Sequence, residues 1–275
     1  MKRRILVSAA AFLLIAGSLD AHDMFLKLTT FFLEPNSPAS VALINGTFEG
    51  SENTIDRERM VDVRVLGPNE EVRHPSTEQW RDVETTSWLD FETGNAGTYV
   101  IGVSTAPNMI DLSAEDFNTY LEHDGVLDVL DARKRDGKLG DAASETYSKH
   151  VKAIVQVGDS PSGGFTSRLG YPVELVPLQN PYQLHVGDGL DVLFLKDGAP
   201  LADHLIYASH EGYHGHDDAG GHAEAIKAKT DAFGIVRIRL SQAGQWYVRL
   251  IHMVPSDEDG VDYESNWATL TFQIR

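Results

Sequence analysis

Cysteine is absent from the 275 residues, which excludes disulfides, a lipidated cysteine anchor and thiolate metal sites. Long apolar runs are also lacking. The one marked run, Ile5 to Ala16, is twelve residues, too short for a spanning helix of ~20. Positive charge is scarce: 23 Lys and Arg stand against 41 Asp and Glu, a net charge of −18. Such a field repels nucleic acid and anionic lipid and attracts cations. Catalytic signatures are missing too. There is no HExxH, no GxSxG elbow and no glycine-rich phosphate loop before a helix. Scattered carboxylates do not define a glycosidase pair. The sequence therefore indicates a non-enzymatic protein.

What is present begins with a secretory signal. Lys2, Arg3 and Arg4 precede the apolar run, and Gly17-Ser18-Leu19-Asp20-Ala21 offers small residues to a peptidase. Residues 1–21 are read as that signal, which implies a periplasmic or secreted mature chain with no membrane span. Its loss removes three basic residues and one acidic one, leaving 20 against 40, a charge of −20.

From 22 to about 105, short runs of alternating apolar and polar residues predict strands at 25–32, 40–44, 60–66, 87–91 and 97–104. Turn residues such as Glu34-Pro35-Asn36-Ser37-Pro38 and Gly67-Pro68-Asn69 separate them. A helical insertion is expected at about 107–153. Ser113-Ala114-Glu115-Asp116 resembles a capping box opening one helix; 127–135 and 142–152 fit two more. Strands resume at 153–157 and 171–177. The stretch Leu178-Gln179-Asn180-Pro181-Tyr182 is taken as a junction. Beyond it lie expected strands at 189–196, 205–210, 234–240, 244–253 and 268–274. The fold class is mainly β, with two β-sandwich domains of immunoglobulin-like or transthyretin-like type at 22–178 and 179–275, the helical insertion lying in the first.

Five of eleven histidines, His204, His210, His214, His216 and His222, fall within 19 residues, with Asp217 and Asp218 among them and Glu224 just beyond. Neutral imidazole is the usual nitrogen ligand for zinc, copper and nickel, and carboxylates complete such shells. Strand alternation puts His204 and His210 on one face. It also puts His252 at the end of the stripe Trp246, Val248, Leu250. Glu264 is a candidate ligand or an acceptor orienting an imidazole. His22 follows the expected cleavage point. As the first mature residue it would offer its α-amino nitrogen and Nδ1 to one metal, the core of a histidine brace, and an α-amino pKa of ~7.7–8.0 makes proton displacement easy. Cleavage elsewhere leaves it an internal histidine. His74, His123, His150 and His185 have no companions at useful spacing and are read as surface or core residues.

Several stretches fall in a familiar order: AHDMFLKL after the signal, YPVELVPLQNPYQL at 171–184, LKDGAPLAD at 195–203, TDAFGIVRIRLSQAGQWYVRLIHM at 230–253 and DYESNWATLTFQI at 262–274. Together they resemble the exported family called domain of unknown function 4198, some members of which are described as periplasmic components of cobalt or nickel uptake systems. The resemblance implies a β-sandwich, a periplasmic address and transition-metal handling, and it singles out His22 and His252. The expected function is capture of nickel, cobalt or copper, with zinc a further candidate, for an inner-membrane metal transporter. His22, His252, His210, His214, His216 and Glu264 are the candidate ligands. Two other classes stand beside it. One is a carbohydrate- or protein-binding module using Trp80, Trp88, Trp246 and Trp267; the other is a copper-dependent oxygenase built on the brace.

Overall fold

A computed structural model of the protein describes residues 23–216 and 222–275. The expected signal, His22 and residues 217–221 lie outside the described residues. The strands that matter here are β1 (Asp23–Lys27), β2 (Pro38–Thr47), β3 (Met60–Leu66), β4 (Trp80–Val83), β5 (Thr86–Glu92), β6 (Gly97–Thr105) and β7 (Asn108–Leu112). Helices α1 (Ala114–His123) and α2 (Leu127–Arg135) follow. After them come β8 (Ala143–Val157), β9 (Val173–Pro177), β10 (Gly189–Lys196), β11 (Leu205–His210), β12 (Ile226–Lys229), β13 (Ile235–Arg239), β14 (Gly244–Pro255) and β15 (Tyr263–Ile274). The mainly β sandwich expected from alternation is what forms.

Three sheets stack. The first runs β1-β2-β5-β4, and the third joins β9, β10 and β13. Between them lies a long central sheet, β12-β11-β14-β15-β8-β6-β3, with β7 paired to β8. Most pairings are antiparallel, but β8 and β15 run parallel, Glu145 opposite Tyr263 through Ala153 opposite Thr271. Strands from both sides of Leu178 therefore share one sheet, and the expected junction does not divide the sheets. β9 likewise crosses it to pair with β10.

Period-two alternation makes the central sheet two-faced. Val248 and Leu250 of β14, with Ala268, Leu270 and Phe272 of β15, pack with Val192, Phe194 and Ile238 of the third sheet. Val151, Ala153 and Val155 of β8 point the other way, against Met24, Leu26, Val41 and Leu43 of the first. β1 lies over β15, where Thr269 and Thr271 donate hydroxyls to the carbonyls of Met24 and Leu26 at 2.7 and 2.6 Å.

Two of the three expected helices form. Ser113 caps α1, its Oγ accepting from the Asp116 amide at 3.1 Å. Phe117, Tyr120 and Leu121 bury against Ile251, Met253 and Trp267 of the central sheet. The third expected helix, 142–152, is instead the first two-thirds of β8. The local pattern there suits a helix. Pairing with β7 over 143–147 and with β15 over 145–153 gives the backbone strand partners, and this tertiary context overrides weak propensity.

Candidate functional site

The apolar stripe of β14 ends at Leu250, and His252 follows on the same face. The β11–β14 register, Tyr207 opposite Arg249 and His210 opposite Trp246, continues to bring His204 level with His252. Their ring centroids lie 5.6 Å apart, with planes at 39°. His204 Nε2 contacts the Ile251 carbonyl at 3.0 Å. A carbonyl only accepts, so Nε2 carries the proton and Nδ1 keeps a free lone pair. His252 Nδ1 is buried without a hydrogen-bond partner, a state that costs about 1–3 kcal/mol. Burial lowers the pKa of both rings, and the charge of His204 lowers that of His252 further. Both imidazoles are therefore neutral at pH 7, the form that ligates metal.

Across β14, His252 faces Asn266 of β15. Asn266 Oδ1 accepts from His150 Nε2 at 3.0 Å, and its Nδ2 donates to Glu264 Oε1 at 3.1 Å. His150 Nδ1 then accepts the Ser104 hydroxyl at 2.9 Å. Both nitrogens of His150 are committed, which makes it a core histidine. Glu264 orients Asn266 and lines a cleft of about 700 Å³ with Met109, Thr146 and Ser148.

The other candidates lie elsewhere. His210 is 8% exposed, against Trp246 with centroids 4.8 Å apart, and its Nδ1 meets Gln242 Nε2 at 2.6 Å. It pairs with Trp246, six residues from His252 along β14, a separation of about 20 Å at ~3.3 Å per residue. One ion cannot take both His210 and His252 at that separation. His214 is exposed in the turn beyond. The backbone of His216 pairs with that of His222 in a two-residue ladder; their side chains lie outside what is described. Among the described residues, no three His, Asp or Glu side chains converge to hold a metal. The donor chemistry that fits a nitrogen-preferring ion is the His204–His252 pair with its unpartnered nitrogen.

The opposite face of β14 carries a buried ionic cluster that the spacing of residues did not reveal. Arg249 Nε lies 3.3 Å from Asp23 Oδ2 and 2.8 Å from Glu224 Oε1, and its Nη2 makes a second, shorter contact with Glu224. Nη1 donates to the Asp124 carbonyl at 3.0 Å. Nearby, Lys149 Nζ donates to Asn45 Oδ1 at 3.0 Å. Glu145 Oε1 accepts from Tyr120 at 3.1 Å and from Ser265, while Oε2 has no partner. Burial pushes Asp23 up to about 6 against the pull of Arg249. It pushes Glu145 up to about 7 against the bonds from Ser265 and Tyr120. It draws Lys149 down to about 8 against the carboxylate of Asp23.

This cluster fastens the histidine-bearing segment to the first strand. At its near end, Glu211 pairs with Lys27 of β1 at 2.9 Å, and the Gly212 amide donates to Glu49 at 3.0 Å. At its far end, Glu224 is held through Arg249 to Asp23, the residue after His22. The sequence signal for this was the basic residue Arg249 within an apolar strand. Of the tryptophans, Trp246 and Trp267 are core residues. Trp80 and Trp88 carry the guanidinium groups of Arg57 and Arg81 over their rings at 5.0 and 5.2 Å.

The family model described as domain of unknown function DUF4198 matches residues 19–254. The chain belongs to that family. No curated protein matches it. Among solved structures, similarity extends to the D0-D1 domain of Intimin, at 9% identity and TM-score 0.22, covering 91% of this chain and 97% of that one. Trypsin-activated alpha-2-macroglobulin from Escherichia coli matches at 10% identity and TM-score 0.24, over 92% of this chain but 15% of that one. The Yersinia pseudotuberculosis adhesin InvE matches at 14% and 0.20, over 91% and 58%. Likenesses this low carry no argument about function. Among the described residues of this DUF4198 chain, no helix is long and apolar enough to cross a membrane.

Proposed function

We propose that this DUF4198 protein is an exported transition-metal-binding protein that takes up nickel, cobalt or copper in the periplasm and passes it to an inner-membrane transporter. The observation that carries this reading is the Glu224–Arg249–Asp23 bridge. It ties the end of a segment bearing His214, His216 and His222 to the strand that follows His22. A mature chain beginning at His22 then has an amine and imidazole chelate whose strand is joined to a segment carrying three further imidazoles. The acidic excess of the mature chain raises the local cation concentration at no cost in specificity. Nitrogen ligation suits nickel and copper, and selection between them rests on geometry and supply.

The test is calorimetric titration of Ni²⁺ and Cu²⁺ into the mature protein, into His22→Ala, and into a form carrying one extra residue before His22. The extra residue removes the free amine but keeps the imidazole. Both changed forms are expected to bind at least about tenfold more weakly, since each loses one donor of the chelate. Equal affinity for all three removes His22 from the site.

A further inference from the structure

We propose that His204 and His252 form a separate transition-metal site on the face of the central sheet opposite Asp23, taking a nitrogen-preferring ion such as Co²⁺, Ni²⁺, Cu²⁺ or Zn²⁺. Opposite faces follow from alternation, since Arg249 and His252 differ by an odd number of positions on β14. The site does not rest on His22, nor on the histidines beyond His210.

Geometry carries the assignment. Two imidazoles bound to one ion through nitrogens ~2.1 Å from it place their ring centres roughly 5–6 Å apart at angles between tetrahedral and trigonal. The observed separation is 5.6 Å. Cross-strand placement on adjacent β11 and β14 holds that spacing by backbone pairing rather than by flexible side chains. The nitrogens are also the right ones. His204 spends its only proton on the Ile251 carbonyl, so its Nδ1 is a lone pair. His252 Nδ1 is buried with no partner, and His204 has no proton left to offer it. No hydrogen bond joins the rings; with His252 in its Nε2–H tautomer its Nδ1 is a second lone pair, and an electron-pair acceptor between them would use both nitrogens.

Charges of both signs act on the pair: Asp128 and Asp203 raise the proton affinity of His204 while Lys229 lowers it, and Lys196 lowers that of His252 while Asp128 and Asp197 raise it. Two histidines with water in the remaining positions describe an exchangeable site, open to loading and release.

The experiment uses the mature protein with Co²⁺ alone as probe. Histidine ring nitrogens are followed by NMR, and bound ions are counted by equilibrium dialysis. The expected result is paramagnetic loss of the His204 and His252 ring signals on adding Co²⁺, with the committed ring of His150 less affected. His204→Gln and His252→Gln should each lower the bound count by one ion per chain, while His22→Ala leaves this ion in place. Persistence of both ring signals at saturating Co²⁺ overturns the proposal, and so does an unchanged count in both folded variants. If either variant fails to fold, the wild-type spectrum decides. An unchanged count in His22→Ala alone defeats the chelate reading and leaves this site standing.

Discussion

Replacing Arg249 by Met should destabilise the protein by about 3–5 kcal/mol at pH 7, the range for breaking a buried ion pair by removing one partner. The side chains involved are nearly dry: Arg249 is 6% exposed, Glu224 9% and Asp23 16%. Met keeps much of the volume, so little of the loss comes from a cavity. The loss is bounded because Asp23 has an escape, which is protonation. Asp23 is already raised to about 6 with Arg249 in place, and without it the value rises further. The variant's folded state therefore holds a proton on Asp23 that its unfolded state has released, so its stability falls as pH rises above about 4. Urea denaturation at pH 5 and pH 7 measures this directly. A smaller deficit is expected at pH 5, where protonation is easy. The triple variant Arg249→Met, Asp23→Asn, Glu224→Gln should recover most of the loss. Amide exchange in the 211–225 segment should quicken in Arg249→Met, because Glu224 loses its anchor. A deficit below about 1 kcal/mol at pH 7, or one equal at both pH values, refutes the reasoning.

Two further outcomes follow from buried groups. Glu145 is raised from 4.5 to about 7 by burial, so the folded state binds its proton more tightly. Stability falls as pH rises through 4.5 to 7, by up to about 3 kcal/mol at ~1.4 per unit. Glu145→Gln keeps the acceptor for Tyr120 and Ser265, and it should match wild type near pH 4 and exceed it at pH 8 in denaturant titrations. Lys152 pairs with Glu174 at 2.9 Å with both side chains almost fully buried, and Glu174 also accepts the Leu169 and Gly170 amides. Lys152→Met should cost about 3–5 kcal/mol, read by urea midpoint, and Glu174→Gln added to it should recover part of that loss.

Much of the architecture was legible because alternation is a local signal. β1, β3, β6, β10, β11 and β14 lie where apolar and polar residues take turns, and His252 was visible as the end of an apolar stripe. The Ser113 cap likewise announced α1. What was hidden was pairing. No local pattern places His204 level with His252, because the β11–β14 register joins residues far apart in sequence. β8 was misread as a helix over 142–152 for the same reason: its partners there, β7 and β15, come from separate parts of the chain. The ionic cluster draws on β1, the α1–α2 turn, β8, β14 and the segment before β12, and no motif spans five elements. The spacing of histidines also misled. His210 and His252 are both strand-end histidines, but they sit at opposite ends of paired strands.

β14 shows how one strand serves both places. Tyr247, Arg249, Ile251 and Met253 look toward the first sheet and the helices, whereas Val248, Leu250 and His252 look toward the third sheet. Arg249 can therefore hold Asp23 and Glu224 while His252, three positions on, meets His204 on the other side. The two sites share a backbone but no side chain, so an ion at one does not touch the ligands of the other. Coupling between them would have to pass through the register of β14 itself. A one-residue slip would exchange the faces, burying His252 among the acidic residues and driving Arg249 into an apolar core. Twelve consecutive pairs with β15, from Gly244 opposite Ile274 to Pro255 opposite Tyr263, oppose such a slip. The register that keeps the core apolar is thus the same one that keeps the histidine pair and the ionic bridge apart.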